Sequence, residues 1–255
     1  MMLRGSVALV TGSARRVGRA ILLGLAEAGA DVVVHSRVAG EADEEVAALA
    51  RAHGVDVLVA DADLADPEAI GRLVSAVEAR FGRLDILVNS AARFDPQPFG
   101  AITAADWDAS MAVNVRAPFL CAQAAAPLMR RSARPEGDGA LIVNIADLSG
   151  VHPWRGFVQH GVSKAGLLHL TRILARELAP DIRVNVLVPG AILPPPGMAP
   201  DGPAWARLAA RAPLGRSGEP ADVVRAVCYL AESPYTTGAV LAIDGGEGLL
   251  GPIGH

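Results

Sequence analysis

Short apolar runs alternate with longer amphipathic stretches along the whole chain. Most of the apolar runs lack polar alternation, which is typical of strands that are buried on both faces of a sheet. Strands are predicted at Val7–Val10, Val32–His35, Val57–Ala60, Ile86–Val88, Leu141–Ile145, Arg183–Val188 and Val240–Ile243. Helices are predicted at Arg19–Ala28, Glu41–Ala52, Pro67–Arg80, Trp107–Met129, Gln159–Leu178 and Ala221–Leu230.

This regular alternation predicts an α/β fold with a Rossmann-like, doubly wound parallel sheet of about seven strands and helices on both faces. The long Trp107–Met129 helix is expected to bend near Pro118. No repeat or linker interrupts the pattern, so residues 1–255 are expected to form a single domain. Five prolines and two glycines make 193–203 the one long irregular segment. Because it follows the sixth strand, we expect residues 193–215 to form a lid over a substrate.

Composition narrows the classes of partner. A net charge of −4 argues against a nucleic-acid-binding protein. No apolar run reaches the ~20 residues that a membrane span needs, and the first ten residues are too short for a signal peptide. The two cysteines, Cys121 and Cys228, indicate neither a disulfide framework nor a metal site. We therefore expect a cytoplasmic protein with a small-molecule substrate and with no nucleic-acid or membrane partner.

The first predicted strand leads directly into a glycine-containing loop and then a helix. Glycines at such a turn let the backbone approach a pyrophosphate at the helix N-terminus. The candidate cofactor-binding residues in this loop are Gly12, Arg15, Arg16, Val17 and Gly18. The alternative is a tight turn that binds no ligand.

The end of the second predicted strand carries no acidic residue. NAD sites usually place a carboxylate there to hold the ribose 2′-hydroxyl, whereas this chain has Ser36 and Arg37. A guanidinium can instead bind a 2′-phosphate, assisted by Ser36 and by an arginine of the glycine loop. The sequence therefore favours NADP(H) over NAD(H). Asp63, after the third strand, could bond the adenine or could be a turn residue.

Lys164 is the only lysine in a chain that otherwise uses arginine for its basic residues. His160 lies four residues upstream, and this spacing places both side chains on one helix face, about 5–6 Å apart at Cβ. An imidazole beside an ammonium group is a candidate proton donor. The alternative is a partly exposed histidine with a solvated lysine.

Taken together, the chain resembles the short-chain dehydrogenase/reductase family over nearly its whole length. The resemblance is carried by the segments Thr11–Gly18, Asp63–Leu64, Leu87–Ala91, Asn114, Asn144–Lys164, Arg183–Asn185, Pro189–Gly190 and Thr237–Gly246. It implies a nicotinamide cofactor, hydride transfer to C=O, C=N or C=C, and a homotetramer. The further cofactor contacts that it implies are His35, Leu64, Asn89, Lys164, Pro189 and Gly190.

The resemblance also implies catalytic roles. Lys164 and Asn114 match the lysine and asparagine of the family, and Asp147 stands at the position of the catalytic serine. The catalytic tyrosine should lie four residues before the lysine and thirteen after the serine position, and both counts reach His160. Two alternatives stay open: Asp147 holds His160 protonated as the acid, or a buried, protonated Asp147 is itself the acid.

Within the family, three residues are similar to the pteridine reductases: Arg16 in the glycine loop, Asp147 at the serine position, and Phe94 shortly after Asn89. Phe94 would stack on a substrate, or else belong to the core. Trp154, in the loop after the fifth strand, is expected in the substrate pocket.

Three functions follow as hypotheses. The favoured one is an NADPH-dependent reductase of a C=N or C=O bond, with a pterin-like or cyclic-imine substrate. The second is a generic 3-oxoacyl or ketone reductase that tolerates histidine. The third is a catalytically impaired member of the family that binds NADP(H) as a sensor or partner subunit.

Overall fold

A computed structural model describes residues 3–132, 139–195 and 197–250. Seven parallel strands form one sheet in the order β3-β2-β1-β4-β5-β6-β7. The strands are β1 Val7–Val10, β2 Asp31–Ser36, β3 Val57–Asp61, β4 Ile86–Asn89, β5 Ala140–Ile145, β6 Ile182–Pro189 and β7 Val240–Ile243. The predicted fold, a doubly wound seven-stranded parallel sheet, is confirmed.

Eight α-helices lie within the described residues. They are α1 Arg16–Glu27, α2 Glu41–Arg51, α3 Pro67–Phe81, α4 Ala104–Met111, α5 Ala117–Ser132, α6 Val158–Leu178, α7 Pro203–Ala209 and α8 Pro220–Glu232. Each predicted strand and helix overlaps an observed one. None of the described helices is long and apolar enough to cross a membrane.

The sheet is buried on both faces because successive strand residues point to opposite sides. In β1, Ala8 and Val10 pack toward α1, α2 and α8, whereas Val7 and Leu9 pack toward α3, α5 and α6. This is why the strands read as continuous apolar runs rather than alternating ones. The two cores hold the sheet rigidly, so side chains at the strand ends have fixed positions.

The strand order reverses between β1 and β4, and the loops at the carboxyl ends of these strands open into a cleft. In open α/β sheets, ligands bind at such a switch point. Asn89 at the end of β4 pairs in register with Asn144 of β5, and its Nδ2 donates to Asn144 Oδ1 at 2.8 Å. Asn144 Nδ2 donates in turn to Thr171 Oγ1 at 2.8 Å. This buried chain ties β4, β5 and α6 together beside the cleft.

Three local features differ from the sequence prediction. Helix α1 begins at Arg16, three residues before the predicted start. The predicted bend near Pro118 is a π-helical turn at Ala112–Arg116, which joins α4 to α5 and ends two residues before Pro118. The predicted lid contains α7, which sequence patterning missed because proline and glycine dominate the segment before it. Pro196 of the lid lies outside the described residues.

Candidate active site

A single cleft of about 2060 Å³ runs from the glycine loop to the predicted lid. Of the predicted cofactor and substrate residues, the cleft is lined by Gly12, Arg15, Arg16, Val17, Gly18, His35, Ser36, Arg37, Asp63, Leu64, Phe94, Trp154, Pro189 and Gly190. It is also lined by the predicted catalytic residues Asp147, His160 and Lys164, whereas Asn89 and Asn114 lie behind its wall. The fold therefore brings both sets of predicted residues to one surface.

The glycine loop is shaped so that backbone groups face the cleft. Gly12 has a left-handed φ of +67°, and a Cβ there would lie 2.9 Å from Ala91 Cα. A Cβ on Gly18 would lie 2.4 Å from Gly12 O, so only glycine fits this position. The N-terminus of α1 has no side-chain cap and no acidic residue in its first turn. Its free N–H groups fit a bound pyrophosphate, as the sequence predicts.

Arg16 adopts a left-handed backbone conformation, with φ of +55°. A non-glycine residue in this conformation costs about 1–2 kcal/mol. Its side chain crosses to the predicted lid, where Nη2 donates to the carbonyl oxygen of Pro194 at 2.9 Å. Arg16 therefore connects the glycine loop to the predicted lid.

The end of β2 presents a cation and no carboxylate to the cleft. Arg37 is exposed, and its side chain has no ion-pair partner among the described residues. Ser36 Oγ donates its one proton to Val38 O at 2.9 Å, so the predicted phosphate contact of Ser36 requires that this hydrogen bond is exchanged. The guanidinium of Arg37 fits a 2′-phosphate better than a 2′-hydroxyl.

His35 supports the loop from behind. Gly12 N donates to His35 Nδ1 at 3.1 Å, and Nε2 lies 3.2 Å from the carbonyl oxygen of Ala62. Since Ala62 O only accepts, Nε2 carries the hydrogen and the imidazole is neutral. Burial lowers the pKa of His35, and hydrogen bonding and nearby carboxylates only partly oppose this effect. Both ring nitrogens thus bind backbone groups and hold them in place. A direct contact between the His35 side chain and the cofactor stays a prediction.

The second polar centre of the cleft is a pair formed by His160 and Asp147. His160 Nε2 lies 2.7 Å from Asp147 Oδ2, and His160 Nδ1 lies 2.9 Å from the carbonyl oxygen of Arg93. Asp147 Oδ1 accepts from Ser149 N at 2.9 Å and from Ser149 Oγ at 2.5 Å. The imidazole is buried, with 2% of its side chain exposed, against 20% for Asp147.

These contacts determine where the protons of the pair lie. Arg93 O can only accept a hydrogen bond. Nδ1 of His160 therefore carries a hydrogen in this geometry. One further proton lies between Nε2 and Oδ2, and it belongs to either partner without changing the net charge. The pair is therefore neutral overall and holds one transferable proton.

Charges around the pair favour the carboxylate form of Asp147. Burial raises the pKa of Asp147, but the hydrogen bond from His160, the charge of Lys164 and the donors of Ser149 outweigh it and hold the pKa below its usual range. Burial lowers the pKa of Lys164, and the charge of Asp147 opposes that shift. Lys164 Nζ donates to the carbonyl oxygen of Ile145 at 2.8 Å. The ammonium group is thus fixed near the pair.

Asn114 acts on the pair through the backbone. It lies in the π-helical turn, where its Oδ1 accepts from Arg93 N at 2.8 Å and its Nδ2 donates to Arg93 O at 3.0 Å. Its Nδ2 also donates to Ser163 Oγ at 2.9 Å. The two hydrogen bonds to Arg93 hold its carbonyl group, which also accepts from His160, in place.

Aromatic rings cover the imidazole. Phe94 meets His160 edge-on with ring centroids 4.9 Å apart, and Phe157 lies 4.8 Å from Phe94. Trp154 meets Phe157 at 5.8 Å. Phe94 is 37% exposed and lines the cleft, so it is not a core residue. These rings form an apolar wall beside the polar pair.

Sequence reasoning missed several residues of this site. Arg93 contributes a backbone carbonyl, which no side-chain motif reveals. Ser149 donates twice to Asp147, and its position two residues later is a recognisable Asx-type signal. Trp205, Arg211 and Glu247 line the cleft from segments that have no periodic pattern.

Comparison with known proteins agrees with this geometry. Residues 12–247 match a family model described as enoyl-(acyl carrier protein) reductase. An uncharacterised oxidoreductase of Mycobacterium tuberculosis is 37% identical over 244 residues, which cover 94% of this chain and 91% of that protein. The rhamnolipid-biosynthesis 3-oxoacyl-[acyl-carrier-protein] reductase of Pseudomonas aeruginosa is 38% identical over 252 residues, covering 96% of each chain.

A solved short-chain dehydrogenase from Burkholderia cenocepacia, in complex with NADP, superposes with a TM-score of 0.88 at 36% identity. The match covers 97% of this chain and 99% of that one. The fold, the glycine loop and these matches define a nicotinamide-dependent oxidoreductase. The chain belongs to the short-chain dehydrogenase/reductase family.

Proposed function

We propose that this protein is an NADPH-dependent reductase of a ketone of the 3-oxoacyl type. The observation that carries the proposal is the His160–Asp147 pair, which holds one transferable proton in the same cleft as the cofactor loop. The cofactor is NADP(H), for which the arginine-bearing end of β2 and the NADP complex of the Burkholderia relative give support. When bound, the nicotinamide supplies the hydride.

The pair supplies the proton. In the family the tyrosine hydroxyl has this task, and His160 stands at its position. As the substrate oxygen gains charge, the proton between Nε2 and Oδ2 moves to it, because Nδ1–H stays bound to Arg93 O. The pair then carries one negative charge. Lys164 stabilises that charge, which gives the buried ammonium a role in the proton step.

Asn114 and Ser149 position the pair without touching the reacting atoms. Asn114 fixes the Arg93 carbonyl, and Ser149 fixes the Oδ1 side of the carboxyl group. Both restrict the imidazole and the carboxyl to one relative orientation. General acid catalysis of this kind typically contributes about 10²–10⁴-fold to the rate.

A second candidate substrate is a cyclic imine or pterin-like C=N compound. The aromatic wall of Phe94, Phe157 and Trp154 supports this candidate, because the planar ring of a cyclic iminium can stack on it. Such a substrate already carries its proton and needs less from the pair. The pteridine-reductase likeness in Arg16 and Phe94 supports this candidate from the sequence alone.

The test is NADPH oxidation by the full chain with an acetoacetyl thioester, a simple ketone and a cyclic imine. Reduction of the acetoacetyl thioester to its hydroxyacyl product, faster than that of the imine, supports the ketone assignment. Faster reduction of the imine at all pH values moves the assignment to C=N substrates. NADPH binding without oxidation of any substrate overturns the reductase and leaves the sensor or partner-subunit function.

The family resemblance also predicts a homotetramer, and the surface supports an assembly. Apolar side chains on α5 and α6 are exposed, among them Phe119, Val162 and Ile173. Light scattering on the purified chain tests this, with a tetramer mass as the expected result and a monomer as the contrary one. A cytoplasmic location stays a prediction.

A further inference from the structure

The loop that follows β4 carries two groups that contact the proton pair. The carbonyl oxygen of Arg93 lies 2.9 Å from His160 Nδ1, and the ring of Phe94 meets the imidazole edge-on. Asn114 holds Arg93 at the near end of this loop with two hydrogen bonds. Residues 91–98 belong to neither a helix nor a strand, so their position depends on contacts of this kind. Whatever holds the far end of the loop therefore also affects the pair.

Gln159, on α6 directly before His160, binds the far end of the loop. Its Nε2 donates to the carbonyl oxygen of Asp95 at 3.0 Å and to Oε1 of Gln97 at 2.8 Å. The side chain is buried, and its own Oε1 has no hydrogen-bond partner among the residues that the structure describes. Within the described chain, these two bonds are therefore the polar contacts through which the Gln159 side chain acts.

The acceptors determine which way the Gln159 amide faces. Asp95 O can only accept a hydrogen bond. The amide of Gln97 also interacts with the carboxylate of Asp106 in the first turn of α4, and this contact, after the hydrogen bonds from Thr103, lowers the pKa of Asp106. Because a carboxylate likewise only accepts, Nε2 of Gln97 faces Asp106 and its Oε1 faces Gln159. The Gln159 amide thus meets two acceptors and presents both N–H hydrogens to them.

A backbone bond closes the same contact. Gln97 N donates to the carbonyl oxygen of Gly156, in the segment before α6, at 2.9 Å. The loop after β4 is thus fixed at its near end by Asn114 and at its far end by Gln159 and Gly156. Since two of these three contacts come from the segment that leads into α6, the loop and the helix that carries His160 are held as one unit.

We infer that Gln159 is a positioning residue for the proton transfer. It holds the loop so that the Arg93 carbonyl accepts from Nδ1 of His160, which leaves Nε2 for the proton shared with Asp147. It also holds Phe94 in the wall of the cleft. Gln159 itself does not line the cleft, so it acts only through the loop. This inference rests on the proposed function, in which the shared proton is transferred.

Gln159→Glu tests this, because it removes the donors and keeps nearly the same shape. The carboxylate meets two acceptors, so the loop should move away from it. kcat should fall and the KM for the acetoacetyl thioester should rise, which lowers kcat/KM by roughly 10-fold or more, whereas the Kd of NADPH should stay unchanged. Burial beside two acceptors raises the pKa of the new carboxyl group, and its protonated form regains one donor. The ratio of variant to wild-type kcat/KM should therefore rise as the pH falls from about 8 to about 5.5.

Two further variants separate positioning from a general loss of stability. Gln159→Met has a similar shape and no donor at any pH, so its kcat/KM should fall by a constant factor relative to the wild type. Ser75→Glu adds a carboxylate to the exposed face of α3, away from the cleft, and should behave like the wild type. A pH-independent ratio for Gln159→Glu would overturn the inference. So would wild-type kcat and KM in both Gln159 variants, a result that leaves the proposed function intact.

Hydrogen exchange separates this inference from the proposed reaction, because it requires no turnover. In the wild type the backbone N–H groups of Arg93 and Gln97 are both hydrogen-bonded. Both amides should exchange faster in Gln159→Met than in the wild type and in Ser75→Glu, even if no thioester oxidises NADPH and the reductase proposal fails. Unchanged exchange of both amides would show that Gln159 does not hold the loop.

Discussion

Replacing Asp147 with asparagine removes the proton that Asp147 shares with His160 but keeps the geometry of the pair. In the variant, Oδ1 can keep both donors of Ser149, and the new amide N–H can donate to Nε2 of His160. Nδ1–H of His160 stays on Arg93 O. Every hydrogen bond of the wild type thus has a counterpart, but the neutral pair no longer contains a transferable proton.

The magnitudes follow from this exchange. One charge-assisted bond becomes neutral, which costs about 1–2 kcal/mol of stability, or a fall in Tm of roughly 2–8 °C for a chain of this size. Turnover should fall by about 10²–10⁴-fold, the usual contribution of a general acid. Lys164 also loses the charge that opposes its desolvation, so its pKa should fall further.

Steady-state NADPH oxidation with an acetoacetyl thioester measures the turnover, and fluorescence titration measures the Kd of NADPH. Ser149→Ala is the matched control, since it removes one donor to Oδ1 and leaves the shared proton in place. Wild-type turnover in Asp147→Asn, with NADPH binding intact, would refute the assignment of the pair as the acid.

The same variant should change the pH dependence of stability. The pKa of Asp147 is lowered in the folded state, so its carboxylate stabilises the fold above the unfolded pKa of about 3.9. That contribution is lost as the pH falls through the lower folded pKa. Between roughly pH 5 and pH 2, Asp147→Asn should therefore lose less stability than the wild type in denaturant titrations. A steeper loss in the variant would contradict the direction of the shift.

Three other substitutions and one reagent test the positioning of the pair, the choice of cofactor, the glycine loop and the burial of Cys121. Asn114→Ala should lower kcat and alter its pH profile without changing the Kd of NADPH, because it frees the Arg93 carbonyl; an unchanged profile would count against positioning. Arg37→Ala should raise the KM for NADPH by about 10-fold or more and leave that for NADH nearly unchanged, since a charge-assisted phosphate contact is lost. Gly18→Ala should abolish binding of both cofactors because its Cβ would lie 2.4 Å from Gly12 O, and Gly71→Ala, with open space around it, should bind normally. Burial raises the pKa of the Cys121 thiol to about 12, so thiol reagents should modify Cys121 only on unfolding; rapid labelling of the native protein would contradict this.

The fold was predictable because its signals are local and periodic. Runs such as Val7–Val10 contain only apolar residues. In a chain that alternates such runs with helices, they are typical of strands in a parallel sheet that is covered on both faces. Asp66 caps the N-terminus of α3 by accepting from Glu68 N at 2.9 Å, and an aspartate followed by a proline is a local helix-start signal. Gly12 and Gly18 marked the cofactor loop because no other residue fits there.

The remainder of the site depends on contacts that a sequence does not display. The Arg93 carbonyl determines the tautomer of His160, and backbone acceptors carry no side-chain signature. Arg211 and Glu247 come together only because the lid and the C-terminal turn meet at the cleft. Helix α7 escaped detection because its seven residues are too few to show a helical period after a proline-rich segment.

Single-turnover NADPH oxidation by His160→Phe, mixed with a saturating acetoacetyl thioester, tests directly whether the imidazole takes part in the proton transfer. Phenylalanine keeps a ring to pack against Phe94 and Phe157, and it removes both nitrogens. The variant should bind NADPH like the wild type and oxidise it at least about 10²-fold more slowly. Oxidation at the wild-type rate would show that the imidazole takes no part in the proton transfer.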